Sequence, residues 1–160
     1  MSEDFVKTLF LAGCDEDVVK HCAVVAETAS RFFGDSVDVD LVYMGSMMHD
    51  IGRSVTHSLS HAQVGARICR ERGEADALVE IVLRHTGAGL DADECTLLGL
   101  APIDCVPRTL EEKIVAHADN LVKGSTVIPI EERMMRIAHL PRRSKQRFWR
   151  LTMDVELLSD

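Results

Sequence analysis

The chain has 160 residues, 46% hydrophobic and 28% charged, with ten glycines and four prolines; this excludes disorder and collagen-like repeats and fits one globular domain with a sizeable core. Eighteen Lys and Arg against 26 Asp and Glu leave a net charge of -8, which argues against a general nucleic-acid coat protein. No apolar run approaches the ~18 residues that span a bilayer, and the start at Glu3-Asp4 is acidic where a signal peptide is basic, so a cytoplasmic protein with no membrane partner is expected.

The apolar spacing is helical almost throughout. Phe5, Leu9 and Phe10 make a short first face that Gly13 ends. Asp15 is placed to cap a longer helix in which Val18, Cys22, Val25, Ala29 and Phe32 or Phe33 recur at threes and fours up to Gly34, and which carries His21. Asp38 or Asp40 opens a third helix through Leu41, Tyr43, Met44, Met47 and Met48, running into His49-Asp50-Ile51-Gly52 with Gly52 as its C-terminal stop. Ser60 caps a fourth from His61 to about Arg72, in which Gly65 and Ala66 admit close approach of another helix. Glu74 to Arg84 forms the fifth, with His85 at its end.

Residues 86–108, with three Gly and two Pro, read as loop around a short apolar stretch near Leu97 to Leu100. Thr109 with Glu112 is a capping-box match that opens a helix through Ile114, Val115, Ala118 and Leu121, ending at Gly124. Pro129 and Pro141 each fit a first helical turn and give two C-terminal helices. The expected architecture is all-α, one domain over residues 1–160 with about six to eight helices. The five cysteines, Cys14, Cys22, Cys69, Cys95 and Cys105, are odd in number and lack a C-x-x-C pair, so they read as core thiols.

Ionisable side chains recur beside the buried stripes: His21 in mid-helix, His49-Asp50 at the end of the third helix, His61 at the start of the fourth, His85 ending the fifth, and Asp119 in the sixth. Such groups near a core are costly unless paired or metal-bound. Imidazole nitrogens and carboxylate oxygens from different helices can converge between them, where helical bundles build metal sites. A buried polar network without metal is the alternative.

The ordered set of His21, His49-Asp50 within His49-Asp50-Ile51-Gly52-Arg53, and Asp119 within Ala116-His117-Ala118-Asp119-Asn120-Leu121 resembles the HD superfamily of metal-dependent phosphohydrolases over about residues 15–124. The segment 125–160 is then a C-terminal helical extension. His61-Ala62-Gln63-Val64-Gly65-Ala66 and His85-Thr86-Gly87-Ala88-Gly89 are similar to segments of the subgroup that includes bacterial HD-type diadenosine tetraphosphate hydrolases and small archaeal HD proteins. HD-GYP cyclic dinucleotide phosphodiesterases have paired histidines followed by Gly-Tyr-Pro, whereas here His85 is followed by Thr86, which disfavours that activity.

The resemblance implies an HD-domain helical bundle and a ligand set. His21, His49, Asp50 and Asp119 hold a first divalent cation, with Asp50 bridging to a second that His61 and His85 complete. Iron, manganese, cobalt, nickel or zinc suits such mixed nitrogen and oxygen ligands. The implied reaction is hydrolysis of a phosphoester or phosphoanhydride in a nucleotide-like small molecule by metal-activated water. Catalytic roles fall to Asp119 or Asp50, which orients that water through the metal, and to Arg53, which holds a non-transferred phosphate oxygen. A solvated helix-terminal arginine is the plainer reading of Arg53, and a helix-end residue the plainer one of His61 and of His85.

Other residues carry weaker signals. Arg84 and Lys123 are lesser phosphate candidates, and Lys113 pairs with Glu111 or Glu112. Met44, Met47 and Met48 read as core, and Phe148-Trp149 as the anchor of the last helix. His57 reads as a loop residue, His117 as a surface or outer-shell residue, and His139 carries no signal. Residues 123–150 hold eight basic residues against Glu131 and Glu132, a local +6, while the remainder carries -14. That run reads mainly as a solvated helix face; an RNA- or partner-binding domain using it, with little or no turnover, is the alternative function.

Overall fold

The computed structural model describes residues 2–157; Met1 and 158–160 lie outside it. Its helices are α1 (Ser2–Ala12), α2 (Glu16–Ala29), α3 (Val39–Met48), α4 (His61–Glu71), α5 (Asp76–Arg84), α6 (Ala92–Leu97), α7 (Leu110–Asn120), α8 (Ile130–Arg136) and α9 (Arg142–Glu156). The only sheet among the described residues is a hairpin of β1 (Val122–Lys123) and β2 (Thr126–Val127). The fold is all-α, with one helix more than the six to eight expected.

Most helix starts follow from their caps. Asp15 accepts from the Val18 amide at 2.9 Å, and Asp38 rather than Asp40 accepts from the Leu41 amide at 3.0 Å. Thr109 and Glu112 form a capping box that starts α7. A second capping box, Asp91 with Glu94, starts α6 inside the stretch read as loop. The D-x-x-E spacing was visible there, but six residues with no apolar stripe offer no periodicity to read.

Four boundaries differ from expectation. Ser60 does not cap α4: its backbone is already helical and no side-chain cap bond forms. α5 begins at Asp76 rather than Glu74. α2 ends at Ala29 and continues as a 3-10 turn over Ser30–Phe32, short of Gly34. α7 ends at Asn120 because the chain turns into the hairpin, with Gly124 at φ +59 in its two-residue turn.

Gly52 is no C-terminal stop either. It lies in a 3-10 turn over Ile51–Ser54, and a Cβ built there would overlap the His61 carbonyl oxygen and reach 2.6 Å from the Gly65 amide nitrogen. A Cβ on Gly65 would lie 2.9 Å from Val82 Cγ1 and 3.1 Å from the Gly52 nitrogen. The two glycines therefore seat the start of α4 against the end of α3 and against α5.

The core has two apolar clusters. One joins Val25, Phe32, Val42, Ile81, Ile114 and Val115, and Phe148, Leu151 and Val155 bring α9 onto it. The other joins Leu9, Val18, Cys22, Met48, Ile51 and Val82. Met47 and Met48 are buried as expected, and all five cysteines are buried and free. Phe148 anchors α9, but Trp149 is 58% exposed and does not. No helix among the described residues is long and apolar enough to cross a membrane.

Candidate metal centre

The C-terminal ends of α3, α5 and α7 and the start of α4 bring His49, Asp50, His85, Asp119 and His61 to one place, and the middle of α2 adds His21. The three C-terminal ends suit this arrangement. Their last carbonyls have no intrahelical donor, and their negative dipole ends favour a cation.

Each imidazole is oriented through Nδ1. His49 Nδ1 donates to the Ser46 carbonyl at 2.7 Å, His85 Nδ1 to Val82 at 2.7 Å and His61 Nδ1 to Ser58 at 2.8 Å, all three residues back in the chain. His21 Nδ1 donates to the Gly124 carbonyl at 2.6 Å, the carbonyl that the hairpin turn presents. A neutral imidazole has one N–H. All four rings therefore present Nε2 lone pairs to the cluster, an arrangement typical of metal-ligating histidines.

The Nε2 atoms meet other acceptors. His21 Nε2 is 2.9 Å from Asp119 Oδ1 and 3.8 Å from Asp50 Oδ2. His49 Nε2 is 3.6 Å from both of those oxygens. Asp50 Oδ1 is 3.2 Å from His61 Nε2 and 3.4 Å from His85 Nε2, and the latter two nitrogens are 3.0 Å apart. His49 Nε2 and Asp50 Oδ1 are buried with no hydrogen-bond partner. Orphaned acceptors converging at one place could hold a cation. Their ligand atoms form two groups, His21–His49–Asp119 and His49–Asp50–His85, each within 4.8 Å.

Burial opposes ionisation of Asp50, but the imidazoles of His49, His61 and His85 outweigh it and hold its carboxyl far below the usual range. Asp119 is held down in the same way by His21 and His49. Burial also works against charge on His49, yet Cys22, Asp50 and Asp119 push its pKa well above the ordinary value; without a cation that favours a proton on Nε2, and a cation held by the neutral ring would take the proton's place. His85 is shifted down, chiefly by burial.

The cluster floors an open cleft of about 670 Å³. Arg53 lines it, its Nε donating to Asp50 Oδ2 at 2.6 Å, and so do Lys123, His57 and Arg133. Arg133 falls within the basic run 123–150, and no spacing signal in the sequence ties α8 to the HD motif.

Several expectations are corrected. Arg84 is buried away from the cleft, 2.7 Å from Glu80 and 3.7 Å from Glu112, and donates to the carbonyls of Asp104 and Val106; it is structural. Lys113 pairs with Asp154 of α9 at 2.9 Å, not with its neighbours. His117 is neither surface nor outer shell: it is buried against Phe32, with Nε2 donating to Glu156 of α9 at 2.8 Å. The basic run is mainly exposed, as expected, at Lys123, Arg136, Arg142, Arg143 and Arg150, although Arg143 and Arg147 pair with Asp91 and Glu94 and Arg136 with Glu132. His139 is exposed and outside the cleft.

A helical domain with a buried histidine–aspartate cluster at its helix ends is the class that fold and site define. Residues 18–124 match the HD domain family, and the chain belongs to it. It is 49% identical over 125 residues to an uncharacterized protein of Methanocaldococcus jannaschii, covering 74% of each chain. It is 43% identical over 122 residues to the tRNA (cytidine(56)-2'-O)-methyltransferase of Picrophilus torridus, covering 75% of this chain and 36% of that enzyme, so it spans about a third of that relative. A ribonuclease Y of Pseudothermotoga lettingae is 32% identical over 84 residues, covering 51% of this chain and 16% of that one. The HD domain of the L. monocytogenes phosphodiesterase PgpH, solved with cyclic-di-AMP, has the same fold: TM-score 0.60 and 17% identity, over 97% of this chain and 95% of that one.

Proposed function

We propose that this protein is a metal-dependent phosphohydrolase that cleaves a phosphoester or phosphoanhydride bond in a nucleotide-like small molecule. The observation that carries this reading is the convergence of four Nε2 lone pairs on Asp50 and Asp119, with His49 Nε2 and Asp50 Oδ1 orphaned and buried.

The residues fit divalent cations. His21, His49, Asp50 and Asp119 would hold one, and Asp50, His61 and His85 a second. A bound divalent cation supplies activated water near neutral pH and offsets the charge that develops on phosphoryl oxygens. Asp50 and Asp119 stay ionised and act only as acceptors. The Nδ1 hydrogen bonds hold the imidazoles in one tautomer and orientation. Arg53, oriented through Nε by Asp50, places a guanidinium in the cleft where a phosphate oxygen binds. A cleft of about 670 Å³ suits a nucleotide-sized ligand.

An RNA phosphoester is the second reading, favoured by relatives that are a tRNA methyltransferase and ribonucleases Y. The pairing of Arg136, Arg143 and Arg147 with carboxylates weighs against an RNA track along 123–150.

The test is elemental analysis of protein purified without chelator, followed by a panel of nucleotides, dinucleoside polyphosphates, cyclic phosphates and a short RNA. Bound transition metal and turnover that His49→Ala and Asp50→Ala both abolish are expected, with helical content retained. Full metal content and unchanged turnover in both variants would refute the assignment.

A further inference from the structure

The cleft holds a charge that the cluster and Arg53 do not account for. Arg133 belongs to α8, beyond the residues that match the HD family, yet it lines the same cleft as His21, Asp50 and Asp119. Its Nη2 donates to Asn120 Oδ1 at 2.7 Å, and Asn120 Nδ2 donates in turn to the Gly87 carbonyl at 2.8 Å. Its guanidinium carbon stands 5.4 Å from the centre of the Phe148 ring. These partners are all neutral.

The other arginines withdrawn from solvent are matched to acids: Arg84 to Glu80 and Glu112, Arg147 to Glu94, and Arg53 to Asp50. Arg133 has no carboxylate within ion-pair distance among the described residues, and its Nε is buried without a hydrogen-bond partner. Asp119, next to Asn120 in the chain, favours its charge from beyond ion-pair distance, but burial outweighs it, and a half-buried guanidinium held directly only by an amide and a ring is costly unless an anion completes it. Asn120 occupies one Nη2 hydrogen, and the guanidinium has others for an oxyanion.

Resting on the phosphohydrolase reading above, we propose that Arg133 binds a second, uncleaved phosphate, which makes the site selective for substrates with two or more linked phosphates. Arg53 is bonded to Asp50 and so belongs beside the phosphate that reacts. Arg133 is anchored through Asn120 to Gly87 and bonds to none of the six clustered residues. A single phosphate held at the cluster leaves it uncompensated; a linked second phosphate completes it through a charge-assisted bond. Lys123, also in the cleft, adds to the same field.

Binding of inorganic pyrophosphate and of orthophosphate to the metal-loaded protein, measured calorimetrically, tests this without relying on turnover. Wild type is expected to bind pyrophosphate about tenfold more tightly than Arg133→Met does, while orthophosphate affinity changes by less than about threefold. Methionine keeps an unbranched apolar side chain against Phe148 and removes the charge together with the hydrogen bond to Asn120, a loss that both anions would feel equally. Equal pyrophosphate affinity in the two proteins, or equal losses for both anions, would overturn the proposal.

A second measurement needs no variant. In wild type, pyrophosphate but not orthophosphate should protect Arg133 from phenylglyoxal modification, read by mass spectrometry; protection by neither or by both equally counts against it. If wild type turns over no phosphoester, the hydrolase reading fails while the pyrophosphate result stands. Turnover of a dinucleoside polyphosphate unaffected by Arg133→Met sinks only the role of Arg133.

Discussion

His61 Nε2 and His85 Nε2 lie 3.0 Å apart, although both rings spend their Nδ1 hydrogen on a backbone carbonyl. Two lone pairs at that distance repel unless a positive charge lies close to both, and Asp50 Oδ1 beside them adds a third acceptor. Replacing either histidine by alanine should lower bound metal from about two to about one per chain and cut turnover by about 100-fold or more. Elemental analysis beside the same phosphoester assay checks this. One equivalent in wild type, unchanged in His85→Ala, would leave the pair without a ligand role.

Gly52→Ala should be far more damaging than an ordinary glycine substitution. The added Cβ meets the backbone of His61 and Gly65, which cannot rotate away, so α4 must move off the end of α3. Overpacking costs about 1–3 kcal/mol where side chains can yield, and here the upper end or more is expected. Denaturant titration gives the stability. Because His61 moves with α4, metal content should fall too; a variant with native stability and metal content would contradict the close packing.

The pH dependence of stability should carry a contribution from His117. Burial lowers its pKa from 6.5, with Glu156 partly opposing the shift. The unfolded state then binds the proton more readily, so this stability is present above pH 6.5 and is lost as pH falls toward the lower folded value. The decline in Tm from pH 7 to pH 5 should be shallower in His117→Leu than in wild type. Asp50 and Asp119 titrate far below that window, and the shifts at His49 and His85 are common to both proteins. Equal slopes would contradict the prediction.

Arg84 separates structural from substrate-binding cations. Arg84→Ala leaves the buried Glu112 with only its backbone amides and no positive charge beside it, and frees the carbonyls of Asp104 and Val106, a class of change that costs up to about 3–5 kcal/mol. At a temperature where the variant stays folded, KM should be unchanged, because the side chain does not line the cleft. A raised KM with unaltered stability would return Arg84 to the phosphate-binding candidates.

The amino-acid sequence by itself determined the helical class, the apolar stripes and most caps, because those depend on residues three or four apart. It also carried the order His21, His49-Asp50, Asp119 on which the HD resemblance rests. Whether His61 and His85 join that set was open in the sequence, since the terminal position of a histidine does not say which way its ring points. Tertiary structure brings them beside it: Gly52 and Gly65 bring α4 into backbone contact, and the Ser58 and Val82 carbonyls turn both rings toward Asp50. The same holds for the cations. Arg84, Arg133 and Arg147 are alike as letters in a chain. One is locked between acids, one faces the cleft with only neutral partners, and one bridges α9 to Glu94, because the charge left to an arginine depends on neighbours from distant segments.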